Sequence, residues 1–193
     1  MTKTWMIAIM VAMVGLGATV AQERSPYVGL ETRELKALSP EDVGALERGE
    51  GWGLALSAEL NGVPGPAHLL ELAEEIPLDA EQLAAVRELY EEMRAEAIAE
   101  GGMFLELEAE IEARFRAGDM PREVLVDLLM QSAESRGRLR AIHLSRHLDT
   151  LALLTPEQIA RYAELRGYGE SDPCAMVPKG HDPEVWRRHN GCE

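Results

Sequence analysis

The chain has 193 residues, a formal net charge of −15 at pH 7 and an aromatic content of only 5%. Because nucleic acids are themselves negatively charged, this excess of carboxylates argues against nucleic acid as a partner. The few aromatic residues, together with abundant Ala, Leu and Glu, favour helices over sheets, and the length suits one domain. We therefore expect an all-α fold.

The first 21 residues have the pattern of an export signal. Lys3 precedes an apolar run over residues 5–20, and Thr19-Val20-Ala21 provides a small-residue cleavage site. A retained membrane anchor is the alternative, but the run is short, contains two glycines and is followed by polar residues. We expect cleavage near Ala21 and a soluble exported protein.

A short helix is predicted after a flexible N-terminal segment at residues 22–37. In Leu38-Ser39-Pro40-Glu41-Asp42, Ser39 can cap a helix and Pro40 suits its first position. The acidic residues that follow favour a helix N-terminus. The first helix is therefore expected to begin at Pro40.

Two breaks separate this helix from the next. Residues 49–53 contain three glycines and predict a flexible turn or lid. Residues 61–66 carry two glycines and two prolines and predict a second break. A short amphipathic helix over residues 67–76 follows, with Pro66 at its first position.

Two long helices are predicted in the middle of the chain. Residues 80–117 repeat apolar side chains every three or four positions, as in a helical hairpin or coiled coil. Gly101-Gly102 interrupts this pattern and predicts a kink or, alternatively, two separate helices. Residues 118–121 end the first arm, and a second arm follows over residues 122–153. The methionines of these arms, Met93, Met103 and Met130, are interpreted as core residues rather than copper ligands.

Two similar phrases mark helix starts, Leu78-Asp79-Ala80-Glu81-Gln82 and Leu154-Thr155-Pro156-Glu157-Gln158. In each phrase the second residue can cap a helix, and the glutamine three positions later can close a capping box. The helix that begins at the second phrase is expected to end near Gly167.

These phrases, in an exported and helix-rich chain of this size, resemble the LTxxQ group of proteins. That group includes Spy/CpxP-like stress chaperones and ZraP/CnrX-like heavy-metal resistance and sensor proteins. The similarity covers residues 38–169 and is most specific at the second phrase and its continuation Ile159-Ala160-Arg161-Tyr162. Residues 170–193 form a C-terminal tail outside it.

The resemblance implies a periplasmic location, a hooked antiparallel helical hairpin with additional short helices, and a homodimer. It also implies one of two activities, either ATP-independent binding of unfolded periplasmic proteins or binding of transition metals. A membrane-bound sensor or regulator is a further implied partner.

The sequence His143-Leu144-Ser145-Arg146-His147 places two imidazoles one helical turn apart. Apolar residues flank the pair on both sides, so it is predicted to point into the hairpin or toward an adjoining helix. Neutral imidazoles there need partners, which a metal ion would supply. His68 is the third candidate ligand and Glu59 the fourth. These donors suit divalent zinc, copper or nickel.

The alternative interpretation is that the same histidines are structural and form hydrogen bonds with carboxylates, which are plentiful in this chain. An enzyme is not expected. The His pair lacks the glutamate that serves as general base in His-Glu-x-x-His proteases, and the chain has no nucleophile elbow, phosphate loop or dinucleotide fingerprint.

The tail contains both cysteines of the chain, Cys174 and Cys192, with His181 and His189 between them. In an oxidising compartment a disulfide is the first expectation. A metal site of two cysteines and two histidines is the alternative, although the spacing differs from that of common zinc sites. A flexible tail that binds metal weakly is the third interpretation.

The sequence therefore predicts a non-enzymatic periplasmic protein that binds or responds to metal in envelope stress or heavy-metal resistance. Its predicted ligands are His143, His147 and His68. The alternative is a Spy/CpxP-like chaperone, and a second alternative is a structural helical interaction module that binds neither metal nor client.

Overall fold

The computed structural model describes residues 25–168, 174, 177 and 181–192. The predicted export signal lies outside these residues. The chain divides into two units at residues 1–32 and 33–193. The described part of the first unit consists of turns and a short 3₁₀ helix, Leu30–Thr32.

The described part of the second unit is built from α-helices, which confirms the predicted all-α fold. Two long helices pack against each other as a hairpin, and shorter helices accompany them. None of the described helices combines the length and hydropathy that a membrane span requires. The α-helices of the described residues are α1 (Pro40–Glu47), α2 (Leu56–Glu59), α3 (Pro66–Glu71), α4 (Ala80–Ala117), α5 (Arg122–Ala152), α6 (Pro156–Leu165) and α7 (Pro183–His189).

The predicted boundaries of the long helices are confirmed, since α4 has the expected bounds and α5 ends one residue early. Gly118 closes α4 in the left-handed conformation at φ 70°, which glycine adopts without strain. The suggestion of two separate helices is wrong, because α4 continues through Gly101-Gly102. A Cβ atom at Gly101 would lie 2.9 Å from the carbonyl oxygen of Leu46, so this glycine lets α1 approach α4 closely.

The shorter helices differ more from expectation. Helix α3 ends at Glu71, before the predicted residue 76, and α2 lies in a region where no helix was predicted. Residues 49–53 form the expected turn, with Gly49 and Gly53 at φ 69° and 71°. Trp52 anchors this turn, because its ring packs against Phe104 at 5.7 Å between centroids.

Each predicted helix-start phrase forms a complete capping box, at Asp79 for α4 and at Thr155 for α6. The two phrases also meet in space. Gln82 Nε2 donates to Gln158 Oε1 at 3.0 Å, and Gln158 Nε2 donates to Gln82 Oε1 at 2.9 Å. The paired amides therefore join the N-termini of α4 and α6.

Two hydrophobic clusters form the core, and both lie along the half of the hairpin that the short helices cover. Between Phe104 and Ser132 no residue is buried. The prediction that Met103 and Met130 belong to the core is therefore wrong: they are 51% and 66% exposed. The buried residues of the clusters are Leu38, Leu46, Leu54, Ala97, Phe104 and Leu139 in the first and Leu69, Ile76, Val86 and Tyr162 in the second.

Candidate metal site

The two histidines of α5 point inward, as their helical position predicts. His143 is 2% exposed and His147 is 6% exposed. Burial, and after it the neighbouring His147, lower the pKa of His143 below its usual value. A neutral imidazole is the form that binds a metal ion.

One cavity of about 350 Å³ collects all four residues that the sequence pointed to. Helix α2 contributes Glu59, α3 contributes His68, and α5 contributes His143 and His147. Met93, which was correctly predicted to be buried, also lines the cavity. The lining residues that concern the site are Glu59, Gly65, His68, Met93, His143 and His147.

His147 is held by the backbone that precedes α3. Its Nδ1 lies 2.7 Å from the carbonyl oxygen of Val63, and because a carbonyl can only accept, Nδ1 donates the proton. In the neutral ring Nε2 is then left with its lone pair. Gly65 packs against the same ring, so that a Cβ atom there would lie 2.5 Å from Nε2.

His143 has a buried nitrogen without a partner. Its Nε2 is shielded from solvent and makes no hydrogen bond with any described residue. Leaving a buried polar atom unpaired costs about 1–3 kcal/mol, and native structures rarely tolerate it without a reason. Nε of Arg146 is the other such atom among the described residues, but as part of a guanidinium it can only donate, whereas an imidazole nitrogen can also bind a metal ion.

His68 lies on α3 and is more accessible, with 39% of its side chain exposed. Its Nδ1 is 3.3 Å from Glu59 Oε1. An imidazole whose Nδ1 faces a carboxylate presents Nε2 to a metal, and this is the usual arrangement around metal-bound histidines.

Glu59 is 5% exposed and accepts hydrogen bonds from side chains of α6 and of the residues that follow it. The hydroxyl of Tyr162 donates to its Oε1 and Oε2 at 2.7 and 2.8 Å. Tyr168 donates to Oε1 at 2.6 Å, and Arg166 Nε donates to Oε1 at 2.9 Å. The sequence identified Glu59 as a candidate but not these three partners, which lie more than 100 positions away along the chain.

These contacts keep the Glu59 carboxylate ionised. Burial disfavours the charged form, but the hydrogen bonds from Tyr168 and Tyr162 outweigh it and hold the pKa of Glu59 below its usual value. Burial and the bond to Glu59 together raise the pKa of Tyr162 well above that of a free tyrosine. Glu59 is thus a charged acceptor within a satisfied network.

The donor set matches a divalent transition metal in type. His143, His147 and His68 can each offer an imidazole nitrogen, and zinc, copper and nickel all accept such ligands. As the side chains stand, no three His, Cys, Asp or Glu residues in the described ranges are placed to hold an ion together. His68 is the exposed member of the three, whereas His143 and His147 are buried.

The tail histidines lie apart from these residues in the chain. Cys174 and Cys192 form a disulfide with 5.4 Å between Cα atoms, so their sulfurs cannot act together as thiolate ligands. His181 packs edge-on against Trp186 at 5.0 Å between centroids. His189 lies on α7 with Nδ1 3.2 Å from the carbonyl oxygen of Val185.

Comparison with known proteins found no match to this chain among family models, curated proteins or solved structures.

Proposed function

We propose that this chain is a non-enzymatic periplasmic metal-binding protein that responds to metal in envelope stress or heavy-metal resistance. Its ligands are the Nε2 atoms of His143, His147 and His68, and its metal is divalent zinc, copper or nickel. The observation that carries the proposal is the unpartnered, buried Nε2 of His143, a residue that lines the same cavity as the other two histidines.

The geometry favours this reading over purely structural histidines. A structural pair would be expected to bond carboxylates, yet His147 bonds a backbone carbonyl and His143 Nε2 bonds no described residue. Only His68 has a carboxylate partner, Glu59. The oxygens of that carboxylate already accept hydrogen bonds from two tyrosines and an arginine, so we do not count Glu59 among the ligands.

Calorimetric titration of the exported protein with zinc, copper and nickel tests the site. We expect one ion per chain to bind tightly, and we expect the double variant His143→Ala/His147→Ala to lose that binding. The matched control is His181→Ala/His189→Ala, which also removes two histidines but lies in the tail, and it should keep the tight site. Unchanged binding in the first variant, or no binding in the natural protein, would contradict the proposal.

A second candidate function, ATP-independent chaperoning, is supported by apolar side chains on the distal arm of the hairpin, defined here as residues 105–131 and the adjoining Met103. A surface of exposed large apolar residues is the kind that binds unfolded chains. The exposed residues concerned are Met103, Phe115, Val126, Leu129 and Met130.

Suppression of the aggregation of a reduced client protein tests this second function. The natural protein should suppress aggregation at several-fold excess, and Phe115→Ser/Met130→Ser should suppress it less. Leu148→Ser is the matched control, because Leu148 is 63% exposed but lies outside the distal arm. Equal loss in both variants, or no suppression at all, would count against chaperoning. A homodimer and membership of the LTxxQ group remain predictions from the sequence resemblance.

A further inference from the structure

Residues 50–53, the turn that follows α1, form an outer wall of the histidine cavity. All four line the cavity together with His143, and three of them, Glu50, Gly51 and Gly53, are also exposed to solvent. His143 belongs to the inner wall, since it is only 2% exposed. The turn therefore lies between the solvent and part of the cavity.

The other short segments around the cavity are fixed more firmly than this turn. Pro66 and Leu69 of α3 are buried, and Leu69 belongs to the second hydrophobic cluster. Glu59 of α2 is held by its hydrogen bonds with two tyrosines and an arginine. None of residues 50–53 is buried, so this part of the wall can move without disrupting the core.

Trp52 has an unfavourable backbone conformation within the turn. Its φ is 43°, and among the described residues it is the only one other than glycine with a positive φ. Side chains disfavour this left-handed region because Cβ approaches the following carbonyl oxygen. Such a conformation persists only where surrounding contacts impose it. The position of the turn is therefore maintained by the contacts of the Trp52 side chain.

Three helices supply those contacts, and the indole ring makes all of them. The ring packs against Phe104 of α4, with 5.7 Å between centroids. The guanidinium of Arg136 on α5 lies 5.0 Å from the centroid of the indole, which is a cation–π distance. The indole Nε1 donates to Oδ1 of Asp42 on α1 at 2.9 Å. Removal of this one side chain would break all three contacts.

We propose that residues 50–53 are a lid over the histidine cavity and that the indole of Trp52 is the latch that keeps it closed. Gly49 and Gly53, at φ 69° and 71°, are the hinges, since glycine moves between backbone regions without a steric penalty. Opening relieves the strained backbone of Trp52 and breaks its ring contacts. As regulation of a binding site the inference rests on the proposed function, but access to His143 can be measured without a metal.

Modification of His143 by diethyl pyrocarbonate, which reacts with neutral imidazoles, measures this access in the exported protein. Mass spectrometry follows each histidine separately, and the exposed His181 and His189 provide the internal reference. We expect slow modification of His143 in the natural protein and about tenfold faster modification in Trp52→Ala. Trp52→Phe should give an intermediate rate, because it keeps an aromatic ring but has no N–H to donate.

The matched control is Phe115→Ala, which also removes an aromatic ring from the protein. Phe115 is 58% exposed and does not line the cavity, so this variant should leave the rate at His143 unchanged. Low concentrations of urea separate local from global opening. A lid exposes little surface when it opens, so the rate in Trp52→Ala should stay constant in low urea, whereas modification through global unfolding would rise.

Unchanged modification of His143 in Trp52→Ala would overturn the lid. A rate that rises with urea as steeply as global unfolding, or an equal acceleration in Phe115→Ala, would overturn it as well. Failure of the proposed function has a different signature. In that case calorimetry detects no metal binding to the natural protein, while the faster modification of His143 in Trp52→Ala still supports the lid.

Discussion

At the scale of single residues, the position of His147 depends on a glycine that lies opposite it. Gly65 is the N-cap of α3, in an extended conformation that any residue could adopt, so the backbone there does not require glycine. The space does require it, because a Cβ atom would lie 2.5 Å from Nε2 and 2.6 Å from Cε1 of the imidazole. The absence of a side chain at this position therefore permits the contact between α3 and α5.

Gly65→Ala should weaken metal binding about 10–100-fold, because the added methyl group displaces His147 from its bond with Val63. Calorimetry with the best-binding metal measures the effect. Gly137→Ala is the control, since a Cβ at that helical position meets nothing within 4 Å. Equal affinity in Gly65→Ala and the natural protein would show that His147 is not a ligand.

At this scale the sequence identified the candidate histidines but not the contacts that define their roles. The inward orientation of His143 and His147 follows from helical periodicity, which depends on residues within one turn. The partners of Glu59 could not be read in the same way, because Tyr162 is 103 positions distant. Nothing in the local sequence around Glu59 specifies which distant hydroxyl it meets.

At the scale of helices, adjacent glycines in α4 have different surroundings. A Cβ at Gly101 would lie 2.9 Å from the backbone oxygen of Leu46, whereas a Cβ at Gly102 would meet nothing within 4 Å. Helix propensity alone would favour alanine at both positions by about 1 kcal/mol. Packing reverses this preference at the first position, because the neighbouring atom belongs to the backbone of α1.

We expect Gly101→Ala to lower the free energy of unfolding by about 1–3 kcal/mol, as overpacking does in other cores. Gly102→Ala, its neighbour and control, should raise it by about 0.5–1 kcal/mol. Urea denaturation followed by circular dichroism measures both. If both alanines stabilise the protein, α1 and α4 do not pack closely at Gly101, and the expectation is contradicted.

The capping box of α1 makes its stability depend on pH. The hydroxyl of Ser39, then the indole N–H of Trp52, lower the pKa of Asp42 from 3.8 to about 2, and Arg33 contributes in the same direction. A carboxylate with a lowered pKa stabilises the folded state above the pKa it has in the unfolded chain. That contribution declines as the pH falls below about 4 and is lost as the pH falls through about 2.

Asp42→Asn should therefore be less stable than the natural protein at pH 6, and the difference should shrink steadily as the pH falls from about 4 toward 2. The asparagine keeps an acceptor oxygen for Ser39 but carries no charge. Thermal unfolding of both proteins between pH 6 and pH 2 measures the difference. A difference that stays constant over this range would mean that the charge of Asp42 plays no part.

At the scale of the whole molecule, stability is distributed unevenly along the hairpin. The short helices cover one half of it and form both core clusters there. In the distal arm, between Phe104 and Ser132, no residue is buried. Residues 34–36 contact this arm at Glu112 and Arg116 but bury no residue of it, so the arm depends on the rest of α4 and α5 for its order.

Hydrogen exchange should follow this distribution. Amides within residues 107–130 are expected to exchange faster than those within residues 86–104 and 132–150, because the distal amides lack a buried core around them. Exchange measured at two protein concentrations distinguishes an arm that is exposed to solvent from an arm that another molecule covers, because such association increases with concentration. Uniform protection along both helices at low concentration would contradict the expectation.

The sequence by itself determined the helical class, the starts of α1, α4 and α6, the bounds of the long helices and the inward face of His143 and His147. Caps and periodicity act over three or four residues, so a linear pattern is enough to specify them.

Only the tertiary structure decided which of these local features meet. The amide pair of Gln82 and Gln158 joins positions 76 residues apart, and the Glu59 network joins positions more than 100 apart. Such contacts depend on the angles at which helices pack and on small residues such as Gly65 and Gly101 that allow close approach. The packing angles are not encoded within a single helical turn, so the sequence could group the four residues around the cavity but could not specify the contacts between them.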